Sequence, residues 1–223
     1  MPVLNAVGLK KSYATAAGRL VVLEGLDFSV EPGEMVAVVG ASGVGKTTLL
    51  NLLGLMDQSE EGEIFLDGET IGNLPSGKQA EIRNRKFGFI FQFHHLLADF
   101  TAGENAGFPL LMRGEPIPAA LSTAARYLER LGLSDKTGER VYNLSGGEAQ
   151  RVAVARALAG EPRVVFADEP TGNLDVETAG ELHTLFSELK KEGQTFVVAT
   201  HNPALARRAD RVLELKDRKL VPV

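Results

Sequence analysis

Eight residues at positions 40–47 have types and spacing that suit phosphate binding. They read Gly-Ala-Ser-Gly-Val-Gly-Lys-Thr, follow the apolar run Met35–Val39 and precede a helical stretch, which fits the pattern G-x-x-x-x-G-K-[ST]. The glycines let the backbone wrap a polyphosphate, so that N–H groups and a helix N-terminus face negative charge. We therefore predict a polyphosphate-binding site with these contacts: Gly40, Ala41, Ser42, Gly43, Val44, Gly45, Lys46, Thr47 and Thr48.

Two residues of this loop carry the predicted chemistry. Lys46 is predicted to reach the β- and γ-phosphates, and the Thr47 hydroxyl is predicted to ligate magnesium. The loop does not reveal which phosphate chemistry follows, because many NTPases share it.

A pair of acids follows the apolar run 163–167. Adjacent strand residues point to opposite faces, so Asp168 and Glu169 are predicted to have different functions. We expect Asp168 to hold magnesium beside Thr47, and Glu169 to orient and polarise the attacking water. Taken alone, the Asp-Glu pair is explained equally well as the polar end of a strand, without a catalytic function. The phosphate loop earlier in the chain favours the catalytic interpretation.

The four histidines differ in what they suggest. His201 follows the apolar run 195–199, at the strand end where open α/β sheets contact ligands, and we predict that it contacts the γ-phosphate. His94 and His95 are sequence neighbours and should point apart, while His183 lies in a predicted helix. No zinc site is predicted.

A second anion-binding surface is predicted at residues 144–150, which read Leu-Ser-Gly-Gly-Glu-Ala-Gln and precede a long helix. Ser145 suits the N-cap of that helix, and the two glycines expose backbone donors. Since one mononucleotide needs only one such cradle, the economical inference is that this surface serves a nucleotide held by another copy of the chain.

With these motifs together, the sequence resembles the ABC ATPase family over almost its whole length. The matching segments are GASGVGKT, the glutamine of FIFQ, LSGGEAQR, VVFADE, GNLD and the histidine of ATH, in that order. The resemblance implies a head-to-tail homodimer, with two ATP molecules between the phosphate loop of one subunit and the signature segment of the other. The trans contacts it implies are Ser145, Gly146, Gly147 and Glu148.

The same resemblance assigns three further residues. Gln92 matches the glutamine that reaches magnesium and the attacking water, near the docking place of a membrane partner. Asp175 matches the loop through which the two sites sense each other, and Tyr13 matches the aromatic that stacks on adenine. Without the resemblance, Tyr13 would be an ordinary half-exposed tyrosine.

Residues 91–102 and 167–175 narrow the resemblance to the subgroup that comprises the LolD, MacB and FtsE ATPases. It implies an ATPase that powers lipoprotein release from the bacterial inner membrane, through a transmembrane partner of the LolC/LolE kind that docks near residues 108–112. The alternative is a mechanotransmission ATPase like FtsE or MacB. Four residues depart from the common pattern of the family, namely Ala149, Asn202, Gly103 and Gly107. None of these departures removes a catalytic group.

Composition excludes several other classes of protein. The chain has 223 residues, no cysteine and a net charge of -5 with interspersed signs, which argues against a nucleic-acid-binding face and fits a cytoplasmic protein. Its apolar runs are too short to cross a bilayer, so we expect it to be peripheral on the cytoplasmic face of the inner membrane. The basic run at 83–86 is interpreted as a solvated helix face. No Asn-Lys-x-Asp string suggests a GTPase.

The periodicity predicts an α/β fold with an antiparallel β-subdomain and an inserted helical subdomain. The family resemblance implies that the core has the P-loop NTPase (RecA-like) fold. We predict parallel strands at 35–39, 87–91, 163–167 and 195–199, antiparallel strands at 4–9, 20–30 and 63–66, and helices at 45–55, 119–131, 147–159 and 176–191. One domain covers 1–223, with the core at 1–91 and 159–223 and the helical subdomain at 92–158.

Overall fold

The computed structural model describes residues 1–16 and 18–223. The strands are β1 (Leu4–Thr15), β2 (Gly18–Val30), β3 (Met35–Val39), β4 (Glu61–Leu66), β5 (Glu69–Thr70), β6 (Phe87–Phe91), β7 (Val164–Asp168), β8 (Phe196–Ala199), β9 (Arg211–Lys216) and β10 (Lys219–Pro222). The helices are α1 (Lys46–Leu53), α2 (Ser76–Lys86), α3 (Ala102–Met112), α4 (Ile117–Arg130), α5 (Gly146–Leu158), α6 (Val176–Lys191) and α7 (Pro203–Ala206). Within these described ranges, no helix is both long and apolar enough to span a bilayer.

A sheet of six strands in the order β10-β9-β3-β8-β7-β6 forms the centre of the molecule. All neighbouring strands are parallel except β10 and β9. The predicted parallel strands at 35–39 and 87–91 are confirmed, and those at 163–167 and 195–199 each begin one residue later in the structure. They were predictable because strands buried on both faces read as continuous apolar runs.

The antiparallel sheet has the order β2-β1-β4-β5. The prediction at 4–9 was too short, because β1 continues to Thr15 through a polar segment that does not look like a buried strand. Ion pairs neutralise the charges of that segment: Lys10 contacts Glu61 at 2.6 Å, and Lys11 contacts Asp57 at 2.6 Å. Cross-strand pairing therefore stabilises a strand that has no local sequence signal.

Along the chain, the helices α3, α4 and α5 follow β6 and precede β7. Helix α3 was missed because Gly103, Gly107 and Pro109 interrupt its sequence. The two glycines have a packing role: a Cβ on Gly103 would lie 2.9 Å from the Thr137 side chain, and one on Gly107 would lie 3.3 Å from the Ala120 carbonyl oxygen. A capping box between Thr101 and Glu104 starts the helix. The division at 92 and 158 remains a prediction.

Five other elements were not predicted, namely α2, β5, α7, β9 and β10. Helix α2 has few apolar residues, and strands β9 and β10 form a short C-terminal hairpin. The basic run at the end of α2 is only partly a solvated face, because Arg83 is half-buried and donates to the Leu55 carbonyl oxygen at 2.7 Å.

Two apolar clusters cover the two faces of the central sheet. Val164 and Phe166 face the cluster formed with α1 and the antiparallel sheet, whereas Val165 and Ala167 face the cluster formed with helices α3 to α6. This alternation follows the two-residue period of a strand. The sheet is therefore covered on both faces, and its edges at the strand ends are where polar side chains can gather.

Gly88 offers a test of the packing between the sheet and α5. A Cβ at this position would lie 2.4 Å from the Ala157 carbonyl oxygen of α5. We expect Gly88→Ala to lower the free energy of unfolding by about 1–3 kcal/mol, because the helix must move away from the sheet. Denaturant unfolding measures this change.

The matched control is Gly180→Ala in α6, where a Cβ would have no neighbour within 4 Å. Removing a helical glycine at an open position is expected to raise stability by up to ~1 kcal/mol. Equal stability of Gly88→Ala and the wild type would contradict the close approach.

Candidate nucleotide site

The turn between β3 and α1 has a conformation that requires glycine. Gly45 caps α1 with a φ of 115°, and a Cβ there would lie 2.5 Å from a methyl carbon of Val22. At Gly40, with a φ of 145°, a Cβ would lie 2.8 Å from the Leu215 carbonyl oxygen. The loop is therefore held against β2 and β9, and the first N–H groups of α1 remain available to an anion.

Lys46 places a positive charge at the centre of this turn. Its side chain is only 8% exposed, and Nζ donates to the carbonyl oxygens of Gly40 at 2.9 Å and Ala41 at 3.2 Å. The nearest carboxylate oxygen, Oε1 of Glu169, lies 4.0 Å away. A buried ammonium with one such distant partner is well suited to a ligand that brings negative charge.

Thr47 and Asp168 are joined directly by a hydrogen bond of 2.7 Å from the hydroxyl to the carboxylate. Burial raises the pKa of Asp168 above its usual value, and the Glu169 charge acts in the same direction, whereas the hydrogen bond from Thr47 opposes both. A cation placed here would favour the ionised form. The hydroxyl and carboxylate oxygens are ligands that Mg²⁺ prefers, so the residues fit the predicted metal.

These side chains surround one cavity of about 290 Å³, which is lined by Ser42, Gly43, Gly45, Lys46, Thr47, Thr48, Gln92, Asp168 and Glu169. The strand register explains the convergence, because Asp168 pairs with Phe91 on one side and with Ala199 on the other. Residues after those strand ends consequently meet at one edge of the sheet.

Glu169 has an unusual backbone and a close partner. Its φ is 47°, in the left-handed region that non-glycine residues seldom adopt, and such strain is often found at functional sites. The carboxylate accepts the His201 backbone N–H at 3.2 Å and lies 2.9 Å from Nδ1 of the same residue. His201 does not line the cavity, and its side chain is 70% exposed.

Gln92 is held by a residue that the sequence analysis did not single out. Its side-chain nitrogen donates to Oδ1 of Asn173 at 3.0 Å, and Nδ2 of Asn173 donates back to the Gln92 carbonyl oxygen at 3.1 Å. Gly172 leaves room for this pair, because a Cβ there would lie 3.0 Å from the Gln92 side chain. The position of Asn173 two residues before Asp175, in the GNLD segment, was the available signal.

The remaining predicted residues do not line this cavity in the single chain: Tyr13, Gly40, Ala41, Val44, Ser145, Gly146, Gly147, Glu148 and Asp175. The Tyr13 hydroxyl donates to Oδ2 of Asp57 at 2.9 Å, and the Lys11 ammonium lies 5.1 Å from the centre of the Tyr13 ring. Tyr13 is 39% exposed, so part of its surface remains open.

The signature segment forms an exposed helix N-terminus. Ser145 is the N-cap of α5, its hydroxyl accepts the Glu148 backbone N–H at 3.3 Å, and the Glu148 carboxylate accepts the Ser145 N–H at 2.8 Å. Hydrogen bonds from Ser145 to the Glu148 carboxylate, first from its backbone and then from its side chain, lower the pKa of Glu148. The predicted N-cap is thus observed, and Ser145 and Gly146 are exposed to solvent.

Asp175 is the N-cap of α6, where it accepts the backbone N–H groups of Glu177 and Thr178, each at 3.0 Å. A hydrogen bond from the Thr178 hydroxyl contributes most to lowering the pKa of Asp175. The signature segment lies beside this cap, since a Cβ on Gly147 would be 2.5 Å from the Thr178 methyl carbon. The starts of α5 and α6 therefore form one surface.

The histidines outside the cavity contact protein groups. His94 hydrogen-bonds the Gln150 side chain, the His95 ring packs edge-on against Phe91, and His183 contacts the Thr171 hydroxyl at 3.2 Å. In the part of the chain that the structure describes, no three histidine or acidic side chains are grouped to hold a metal by themselves. A magnesium ion at Thr47 and Asp168 would thus need oxygen atoms from the nucleotide and water, as is usual for Mg²⁺.

Comparison with known proteins agrees with this geometry. Residues 23–172, more than half of the chain, match the model of the family described as ABC transporter. The chain is 49% identical to a Hyphomonas neptunium protein named lipoprotein-releasing system ATP-binding protein LolD, over 99% of this chain and 97% of that one. A Porphyromonas gingivalis protein of the same name is 47% identical, with coverages of 96% and 97%.

Solved structures point to the same family. The dimeric structure of MJ0796, a bacterial ABC transporter cassette, matches with a TM-score of 0.89 and 34% identity, over 97% of this chain and 96% of that chain. A dimeric post-hydrolysis state of the same cassette, bound to ADP and Pi, matches with a TM-score of 0.89 and 33% identity, with the same coverages. The predicted P-loop NTPase fold is thereby confirmed, and the chain belongs to the ABC transporter family as an ATP-binding ATPase subunit.

Proposed function

We propose that this chain hydrolyses ATP as one half of a head-to-tail homodimer, and that it powers lipoprotein release from the inner membrane through a transmembrane partner of the LolC/LolE kind. The observation that supports this proposal most is the composition of the cavity, where a buried lysine, a hydroxyl–carboxylate pair, an amide and a second carboxylate converge. The names of the Hyphomonas and Porphyromonas relatives support the choice of cargo.

Each residue at the cavity has a distinct role in the proposed reaction. Lys46 binds the β- and γ-phosphates, because its ammonium lies as far as 4.0 Å from the carboxylate of Glu169 and is not neutralised by it. Glu169 accepts a proton from the water that attacks the γ-phosphorus, while the bond to the β-phosphate oxygen breaks and ADP leaves. Gln92 orients this water, and His201, which contacts Glu169 at 2.9 Å, binds the γ-phosphate.

Thr47, Gln92 and Asp168 would hold magnesium. The ion supplies positive charge that offsets the charge of the β- and γ-phosphate oxygens. Asp168, whose pKa burial raises, is expected to ionise fully when the cation is bound. The Thr47 hydroxyl, 2.7 Å from Asp168, keeps the two ligands at one side of the cavity.

The proposed dimer completes the site with a second helix N-terminus. Ser145, Gly146, Gly147 and Glu148 face solvent or lie at the surface, and none of them lines the cavity of its own chain. Placed over the partner's phosphate loop, α5 would direct its N–H groups and positive dipole end at the γ-phosphate. Asp175 would lie at the same interface, and Tyr13 would stack on adenine.

The proposed partner docks in an apolar groove of about 450 Å³ that is lined in part by β6 and by the C-terminal end of α5. Phe89, Phe91, Phe108, Pro109 and Met112 contribute to its lining. Met112 is 67% exposed, and so is Phe93, which follows Gln92. Large exposed apolar side chains around a groove are typical of a binding surface for another protein. Such docking would hold the chain on the cytoplasmic face of the membrane.

Glu169→Gln tests the assignment of the general base. The amide cannot accept the proton from water, so we expect ATP turnover to fall by about 100-fold or more. ATP binding should persist, and an ATP-bound dimer should accumulate. Turnover is measured by phosphate release, and dimerisation by light scattering, with and without a reconstituted LolC/LolE-type partner.

Glu188→Gln on the exposed side of α6 is the matched control, and it should hydrolyse ATP at the wild-type rate. Persistent turnover in Glu169→Gln would show that another group is the base. Stimulation by a partner without a lipoprotein-binding domain would instead favour the FtsE-like or MacB-like alternative.

Met112→Glu tests the groove. A carboxylate at this apolar edge should weaken complex formation with the transmembrane partner and abolish stimulation by it, while basal hydrolysis stays within about twofold of the wild type. Ile117→Glu is the control, because Ile117 is 64% exposed and lies only five residues away but does not line the groove. Equal complex formation by both variants would place the partner elsewhere.

A further inference from the structure

Gln150 is a buried polar residue that lies behind the cavity, against the backbone of Phe91 and Pro170, and none of the proposed steps uses it. It lies on the second turn of α5 and is only 1% exposed. We infer that Gln150 is a positioning residue for ATP hydrolysis. It fixes the positions of Gln92 and Glu169 relative to each other and to the N-terminal end of α5. This inference rests on the proposed ATPase reaction.

The hydrogen bonds of its side chain carry the inference. Nε2 donates to the Pro170 carbonyl oxygen at 2.7 Å and to the Phe91 carbonyl oxygen at 3.3 Å. Pro170 is the residue after Glu169, and Phe91 is the residue before Gln92. One amide group therefore joins the backbones beside the proposed base and the proposed water-orienting residue.

The other end of the same amide fixes a third segment. Oε1 of Gln150 hydrogen-bonds Nδ1 of His94, two residues after Gln92. The His94 carbonyl oxygen in turn accepts from Arg156 of α5 at 2.8 Å. The chain on both sides of Gln92 is thus tied to α5, first through Phe91 and then through His94.

Asn173 forms a second bridge between the same two segments. Asn173, three residues after Pro170, exchanges hydrogen bonds with Gln92 at 3.0 and 3.1 Å. The segment that carries Glu169 and the segment that carries Gln92 are consequently joined twice, by Gln150 and by Asn173. Only the Gln150 bridge also connects them to α5.

The connection to α5 has a consequence for the composite site. Ser145 caps the same helix five residues earlier, and the helix between them is continuous and largely buried after Gly147. A nucleotide that draws the start of α5 toward the partner would therefore move Phe91 and Pro170 through the Gln150 amide. The positions of Gln92 and Glu169 would respond to the occupation of the signature surface of their own chain.

The chemistry explains why a glutamine is required. The carbonyl oxygens of Phe91 and Pro170 need a hydrogen-bond donor, and the ring nitrogen of His94 needs a hydrogen-bond partner. A primary amide supplies both groups from one side chain. Methionine has a similar length but no strong donor or acceptor, and a glutamate carboxylate would face two carbonyl oxygens without a proton. A buried carbonyl oxygen that loses its donor destabilises the local structure, so the segments that contain Phe91 and Pro170 would shift.

The test compares Gln150→Met with Gln79→Met. Gln79 is also a buried glutamine, 4% exposed, whose Nε2 donates to the Gly72 carbonyl oxygen at 2.7 Å, but it lies on α2 outside the cavity. Both variants should unfold at lower denaturant concentrations than the wild type. Only Gln150→Met should lower kcat by about tenfold or more, with the KM for ATP within about twofold, because small misplacements affect turnover more than binding.

Gln150→Glu provides a second variant that keeps the volume and the acceptor for His94, and it should show the same loss of kcat. Wild-type kcat in both Gln150 variants would overturn the inference, and so would an equal loss of kcat in Gln79→Met. Absence of hydrolysis by the wild-type chain in the same assay would contradict the proposed function itself, and the inference with it.

Discussion

The buried ammonium of Lys46 is the constraint around which the site is organised. Its side chain is 8% exposed and is held by two carbonyl oxygens of its own loop. Carbonyl dipoles orient the charge without neutralising it, so a polyphosphate bound here gains an interaction that water cannot supply. The glycines at 40 and 45 make this possible, because side chains there would collide with β9 and β2.

The parallel sheet brings the other groups to that charge. Phe91, Asp168 and Ala199 pair across three adjacent strands, so the residues that follow these strands meet above the same edge of the sheet. The hydrogen bonds of Gln150 and Asn173 then join the loops that carry Gln92 and Glu169. Backbone register places the loops, and the side-chain amides of Gln150 and Asn173 fix their relative positions.

The elements with a local signal were predictable from the sequence, and the others were not. Strand β3 and helix α6 were predicted with their observed bounds, because a continuous apolar run and an amphipathic period are local patterns. Helix α3 contains glycines that its packing against Thr137 and α4 explains, and β1 is extended by ion pairs with distant residues. Such non-local contacts leave no trace in a short window of sequence.

The candidate site shows the same division. The phosphate loop, Asp168 and Glu169 were predictable from their motifs, and the structure brings them to one cavity with Gln92. The buried position of Gln150 depends on where two unrelated loops meet, so its sequence position gave no signal. Ser145 was predictable as a helix N-cap from its motif, whereas Asp175 was assigned through the family resemblance. A single chain places both outside the cavity, as caps of α5 and α6.

The central claim is that two chains complete each other's sites, and subunit complementation measures this most directly. Lys46→Ala disables the phosphate loop and Ser145→Arg disables the signature surface, so each variant alone should be inactive. In a head-to-tail dimer, mixing the two gives one composite site with an intact loop and an intact signature. The account predicts that the mixture hydrolyses ATP although neither variant does, whereas an inactive mixture that still forms mixed dimers would contradict it.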